Sequence, residues 1–215
     1  SLVEIGESAF SETNLAGTLV IPKTVTTIGN AAFYYTNLAG LDLSKATSLV
    51  EIGESAFSET NLAGTLSVPN TVTKIGAFAF YYTKLMGLDL SKATSLVEIG
   101  KSAFYAASKL AGTLLIPSTV TTIGPDAFYY TNLAGLDLSK ATSLVEIGES
   151  AFSNTNLAGT LLIPSTVTKI GAFAFYYTKL TYLDLSEATS LVEIGESAFY
   201  YTKLTYLDLS EATSL

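Results

Sequence analysis

SLVEIGESAFSETNLAGTLVIPK (residues 1–23) and TVTTIGNAAFYYTNLAGLDLSKAT (residues 24–47) decide the fold, because the rest of the chain repeats these two phrases. Ser-Leu-Val-Glu-Ile-Gly starts at Ser1, Ser48, Ser95, Ser143 and Ser190, at intervals of 47, 47, 48 and 47 residues. Each interval divides at an Ile-Gly pair, at Ile5, Ile28, Ile52, Ile75, Ile99, Ile123, Ile147, Ile170 and Ile194. The 215 residues therefore form nine units of 23 or 24, of two alternating types, in one array. The ninth unit opens as the first type and ends as the second, through Tyr200-Tyr201-Thr202 and Leu207-Asp208-Leu209. A fixed period of this length marks a stack of like coils and not a globule with a central core.

Within each unit the periodicity is that of strands. Leu19-Val20-Ile21 and Leu41-Asp42-Leu43 alternate inward and outward positions. Val3-Glu4-Ile5-Gly6 and its equivalents form a second short extended segment. Between them Glu7-Ser8-Ala9-Phe10 has room only for a turn or a single helical turn. Pro22, Pro69, Pro117 and Pro164 end the first-type strand, since proline donates nothing to a ladder. The glycine after each isoleucine is expected to mark a turn. One unit cannot bury its own apolar face, but stacked units can. Leu38, Leu41, Leu43, Leu49, Ile52 and Phe57 are the contributions expected to a common core with continuous parallel ladders. At ~4.8 Å per coil, nine coils make a rod roughly 43 Å long.

Composition narrows the function. The chain is 48% hydrophobic and 14% charged, which excludes a disordered acidic tail. With a net charge of -8 and no arginine, it is a poor partner for nucleic acid or an anionic membrane. No apolar run reaches the ~20 residues of a membrane helix. There is no cysteine, and neither an initiator methionine nor a basic leader opens the chain. Because it begins and ends within a repeated phrase, a segment of a longer protein or an engineered array is expected.

Ile28-Gly29-x-x-Ala32-Phe33 and Ile116-Pro117-x-Thr119-Val120-Thr121-x-Ile123-Gly124, kept in register with a Leu-x-Leu strand through nine units, resemble the BspA-like (Treponema-type) leucine-rich repeats. The resemblance covers the whole chain. It implies a right-handed leucine-rich-repeat solenoid, a β-dominated α/β fold with a curved parallel sheet. It also implies a cell-surface role in adhesion or protein binding. The family usually carries Cys three residues after the Phe. Here Thr13, Thr36, Thr60, Thr83, Ala107, Thr131, Thr155, Thr178 and Thr202 stand there. Only Ala107 to Leu110 keeps the family spacing to the next leucine; the other eight are one residue shorter.

Stacking turns equivalent positions into rows. The outward residue of the Leu-x-Leu strand runs Val20, Asp42, Ser67, Asp89, Leu115, Asp137, Leu162, Asp184, Asp208. On leucine-rich folds this row lies on the concave face and is a candidate protein or glycan contact. Otherwise it is a sheet surface with its carboxylates spaced apart. Asp184 and Asp208 are adjacent in the stack, the one place on this row where a cation would help. A second row, Glu4, Thr27, Glu51, Lys74, Glu98, Thr122, Glu146, Lys169, Glu193, sets each lysine between two glutamates. It reads as structural, at roughly 0.2–1 kcal/mol per pair. Tyr34-Tyr35, Tyr81-Tyr82, Tyr129-Tyr130, Tyr176-Tyr177 and Tyr200-Tyr201 form an aromatic stripe, with Tyr182 and Tyr206 replacing a glycine nearer the end. Tyrosine supplies contact area with a polar tip, so this stripe is the second candidate surface.

Gly53-Glu54-Ser55-Ala56-Phe57 is a faint echo of a nucleophile elbow, but the second glycine is missing and the phrase recurs down the chain. No histidine exists to serve as base. Catalysis, a cofactor and a resident metal are not expected. Two readings remain. One is a surface adhesion module. The other is a structural scaffold, natural or designed, that self-assembles end to end, since neither terminus offers a polar cap. Near-identity of units favours the second: residues 1–22 and 48–69 differ only at Val20/Ser67 and Ile21/Val68.

Overall fold

The computed structural model describes residues 2–207 and 209. Among them are nine short strands and eight long ones, in strict alternation, and no helix. The chain runs β1 (Glu4–Ile5), β2 (Ala16–Val20), β3 (Thr27–Ile28), β4 (Asn37–Asp42), β5 (Glu51–Ile52), β6 (Ala63–Ser67), β7 (Lys74–Ile75), β8 (Lys84–Asp89) and β9 (Glu98–Ile99). It continues through β10 (Ala111–Leu115), β11 (Thr122–Ile123), β12 (Asn132–Asp137), β13 (Glu146–Ile147), β14 (Ala158–Leu162), β15 (Lys169–Ile170), β16 (Lys179–Asp184) and β17 (Glu193–Ile194). The segments between short and long strands are turns, so the alternative of a single helical turn is not taken.

The short strands form one parallel nine-stranded sheet in chain order, with Ile5 opposite Ile28, Ile28 opposite Ile52, and so on. On this side the expected continuous ladder exists. The long strands behave differently. They pair two by two, β2 with β4, β6 with β8, β10 with β12 and β14 with β16, and no ladder joins one pair to the next. The cause lies in the two unit types. In every pair the register shifts after the glycine of Ala-Gly-Thr, at Gly17, Gly64, Gly112 and Gly159. These glycines have φ of 77–87°, a left-handed conformation glycine adopts without cost. The bulge lets the first-type strand match the second-type strand that follows it. It also bends that strand out of ladder geometry with the coil before.

The core is a set of columns. Phe10, Phe33, Phe57, Phe80, Phe104, Phe128, Phe152, Phe175 and Phe199 stack with centroids 5.2–5.5 Å apart and planes within 9° of parallel. Such offset stacks add about 0.5–1.5 kcal/mol per pair beyond their burial. Columns of Ile, Leu and Ala pack around them. The position usually held by Cys holds buried threonines instead. The Oγ1 groups of Thr36, Thr60, Thr83, Thr131 and Thr155 donate to the Phe carbonyl three residues back, at 2.8–3.0 Å. Thr178 is equally buried, but its Oγ1 has no partner. In the unit one residue longer, Ala107 fills the same place and is fully buried.

The Ile-Gly glycine does open a turn: the carbonyl of Gly6 accepts from Ala9 N–H. Yet its φ is not positive, and its real constraint is close approach. A Cβ at Gly100 would stand 2.7 Å from the backbone of Ala77 and Gly76, one coil earlier. At Gly6, in the first of the nine units, nothing lies within 4 Å. Gly100→Ala should therefore lower stability by about 1–3 kcal/mol, as overpacking does, while Gly6→Ala changes it by less than ~0.5 kcal/mol. Urea midpoints of the two variants check this. In the same assay Thr83→Val should cost about 0.5–1.5 kcal/mol, and Thr178→Val should cost nothing or stabilise, since it removes an orphaned hydroxyl.

Candidate ligand-contact surfaces

The aromatic stripe lies on the turn face, where each coil makes two tight turns. In the second, the carbonyl of Phe80 accepts from Thr83 N–H, and the residue before the threonine is left-handed. Tyr35, Tyr82, Tyr130, Tyr177 and Tyr201 occupy this position, with φ of 53–59°. Their side chains are 54–60% exposed. The backbone does not demand tyrosine there, because Glu12, Glu59, Ala106 and Asn154 hold the same conformation in the first-type coils.

The preceding tyrosines lie flatter against the coil. Tyr34, Tyr81, Tyr129 and Tyr176 are half-buried, while Tyr200 is exposed. Tyr81 stacks on Tyr105 at 5.1 Å, and Tyr105 on Tyr129 at 4.8 Å. Phe78 meets Tyr81 edge-on at 5.7 Å, and Tyr82 lies 6.1 Å from Tyr105. Three consecutive coils thus carry an unbroken aromatic band. Tyr105 stands outside the double-tyrosine pattern, in a first-type unit where serine is usual, so pair-counting passes over it. Its place directly after Phe104 is the signal that reveals it. Burial raises the pKa of Tyr81 and Tyr105. The Glu59 carboxylate, which accepts a hydrogen bond from Tyr34 at 3.4 Å, raises that of Tyr34. These phenols remain donors at neutral pH. A second aromatic group gathers Tyr176, Tyr177, Tyr200 and Tyr201 at 4.4–6.2 Å. Tyr182 and Tyr206 do not join the turn stripe. Tyr182 stands on β16, and the two rings stack on each other at 5.9 Å.

The Leu-x-Leu row is present but interrupted. Val20 faces Asp42, Ser67 faces Asp89, Leu115 faces Asp137 and Leu162 faces Asp184, each within one strand pair. Every described carboxylate in it is engaged locally. Asp42, Asp89, Asp137 and Asp184 accept the backbone N–H of the serine two residues on, at 2.8–3.0 Å. This is an Asx turn that starts the next bend. Hydrogen bonds from the serine hydroxyl and N–H lower the pKa of Asp42, Asp89 and Asp137. Asp208 lies outside the described residues, and with it the suggested cation site beside Asp184. In the Glu/Lys row, Lys169 reaches Glu146 and Glu193 at 3.9 and 3.8 Å, and Lys74 reaches Glu98 at 3.8 Å. No ion pair forms between Lys74 and Glu51 within 4 Å among the described residues. These pairs are about half exposed, and at such exposure each is worth ~0–1 kcal/mol.

A family model described as BspA type leucine rich repeat region matches in six copies, over residues 1–111, 43–158 and 97–215. Two solved structures share the fold. One is a leucine-rich repeat protein from Bacteroides ovatus, 20% identical with a TM-score of 0.51, covering 94% of this chain and 69% of its own. The other is the pneumococcal vaccine antigen PcpA, 20% identical with a TM-score of 0.57, covering 95% of this chain and 55% of its own. No curated protein matches the chain in sequence.

The aspartate caps give the stack an acid dependence of definite sign. Their folded pKa values lie below the unfolded value of 3.8, so their stabilisation is complete above it and is lost as pH falls through the folded values. Replacing Asp42, Asp89 and Asp137 together by Asn should shrink the stability difference between about pH 7 and about pH 3, measured by urea unfolding.

Proposed function

We propose that this chain, which belongs to the BspA-type leucine-rich repeat family, is a non-catalytic binding module whose turn-face tyrosines contact a protein or glycan partner at a cell surface. One observation carries the reading: five tyrosines more than half exposed, at left-handed positions that first-type coils fill with Glu, Ala or Asn. Left-handed backbone costs an L-residue about 1–2 kcal/mol, least for Asn, so a bulky exposed ring there is not a choice made for stability. Tyrosine offers large rigid contact area with little rotamer entropy to lose, and its phenol donates and accepts hydrogen bonds. The stacked band through Tyr81, Tyr105 and Tyr129 supports the outer rings from beneath.

The Leu-x-Leu row is the weaker candidate, because its carboxylates are committed to the turns that follow them. Catalysis has little to work with: the chain has no His, Cys or Arg. A location outside the cell accords with the resemblance.

The test is a binding screen of the chain against immobilised matrix proteins and glycans. The variant with Tyr35, Tyr82, Tyr130, Tyr177 and Tyr201 all changed to Asn should lose at least ~tenfold in affinity, about 1.4 kcal/mol, for any protein or polysaccharide partner found. Its melting temperature should hold or rise, since Asn154 already occupies this position. Undiminished binding by this variant, with loss on changing Asp42, Asp89 and Asp137 to Asn, would move the site to the Leu-x-Leu row.

A further inference from the structure

The two substitutions that distinguish residues 48–69 from residues 1–22 fall at one place in the stack. Ser67 and Val68 stand where the later first-type units carry Leu115 and Ile116, then Leu162 and Ile163. The next residues differ too: Asn70 replaces the serine found at Ser118 and Ser165. Ser67 and Val68 are smaller than their counterparts, and they sit where β4 and β6 lack a ladder between them. The result is an open-mouthed cleft of about 850 Å³ reaching across three coils.

Its walls are rich in groups that both donate and accept. Asp42, Ser44, Ser67, Asn70, Ser91 and Lys92 line it, with three threonines, Thr47, Thr65 and Thr94, around them. Ser67 Oγ donates to Asp89 Oδ2 at 3.3 Å, which fixes the hydroxyl in place. Asp42 Oδ1 is held by Ser44 N–H at 2.8 Å, so the carboxylate keeps one orientation. Leu41 and Pro69, both partly exposed, add an apolar patch, with Leu43 and Val68 buried behind them. Asp42 and Lys92 line the cleft and the Asp89 carboxylate is bonded to its Ser67, so the cleft offers no excess of positive charge to a phosphate. The volume lies within the ~300–1,000 Å³ of small-molecule sites.

We propose that this cleft binds a neutral saccharide of one or two residues. A polyol presents hydroxyls that both donate and accept, together with a C–H face. The lining answers both with Ser, Thr and Asn beside Leu41 and Pro69. The site is separate from the tyrosine stripe but takes Asp42 and Ser67 from the Leu-x-Leu row, so the five-tyrosine variant tells it apart from the stripe.

Glucose, galactose, mannose, N-acetylglucosamine, maltose and lactose are the probes, followed by saturation-transfer NMR and calorimetry on the full chain. At least one should bind with a Kd of about 1 mM or tighter. The double variant Ser67→Leu, Val68→Ile installs the side chains the chain itself uses at residues 115–116 and 162–163. It should keep or raise the melting temperature and weaken binding at least tenfold. Asn70→Ser, at an exposed position, should weaken binding without touching the core. The five-site Tyr→Asn variant should bind the saccharide as the unaltered chain does. The proposal is overturned if none of the six sugars binds, if the double variant binds undiminished, or if the Tyr→Asn variant loses the sugar.

Discussion

The stack depends on one repeated hydrogen bond: the N–H of each Ile-Gly glycine donates to the isoleucine carbonyl one coil earlier, at 2.8–2.9 Å from Gly29 to Gly195. The bond is short enough that a side chain on the donor residue would collide with the neighbouring backbone. Glycine is thus imposed by separation between coils and not by a turn conformation. Everything built on columns follows from that spacing. The phenylalanine rings reach stacking distance, the isoleucines form one ladder, and Lys169 comes within reach of glutamates on both sides.

The opposite side of the coil obeys a two-coil period. A first-type strand with a left-handed glycine and a threonine meets a second-type strand whose glycine leaves room for that threonine; a Cβ at Gly40 would stand 2.7 Å from Thr18 Oγ1. The same fit recurs at Gly87 against Thr65 and Gly135 against Thr113, while in the fourth pair Tyr182 stands opposite Thr160. Alternation of unit types also spaces the surface chemistry. Exposed tyrosines and turn-capping aspartates recur mostly every second coil, at roughly 10 Å by strand spacing. A partner that reads this surface reads that interval.

Much of this was legible in the residues. Ile-Gly, Ala-Phe and Leu-x-Leu kept register through nine units, and register is what a stacked array needs. The rows of like positions followed directly, and the paired strands confirm them at Val20/Asp42 and Glu51/Lys74. The pairwise grouping of long strands was not legible. It turns on the backbone conformation of Gly17 and its equivalents, and glycine in a strand pattern admits several conformations. Nor could local pattern show that Ser8 or Tyr82 is left-handed, because those residue types rarely are. Tyr105 was overlooked because it breaks the pattern that made the other tyrosines visible. The difference at Ser67 and Val68 was plain in the sequence, but its meaning needed the gap between strand pairs.

That gap has a mechanical side. One flank of the rod is a continuous spine of nine short strands, while the other is four separate two-strand plates with seams between them. A pull along the axis loads hydrogen bonds throughout the spine and the turn face, but at the seams after Asp42, Asp89 and Asp137 no strand ladder joins one plate to the next. The rod is therefore stiff on one flank and jointed on the other, and it flexes by opening those seams like the leaves of a book.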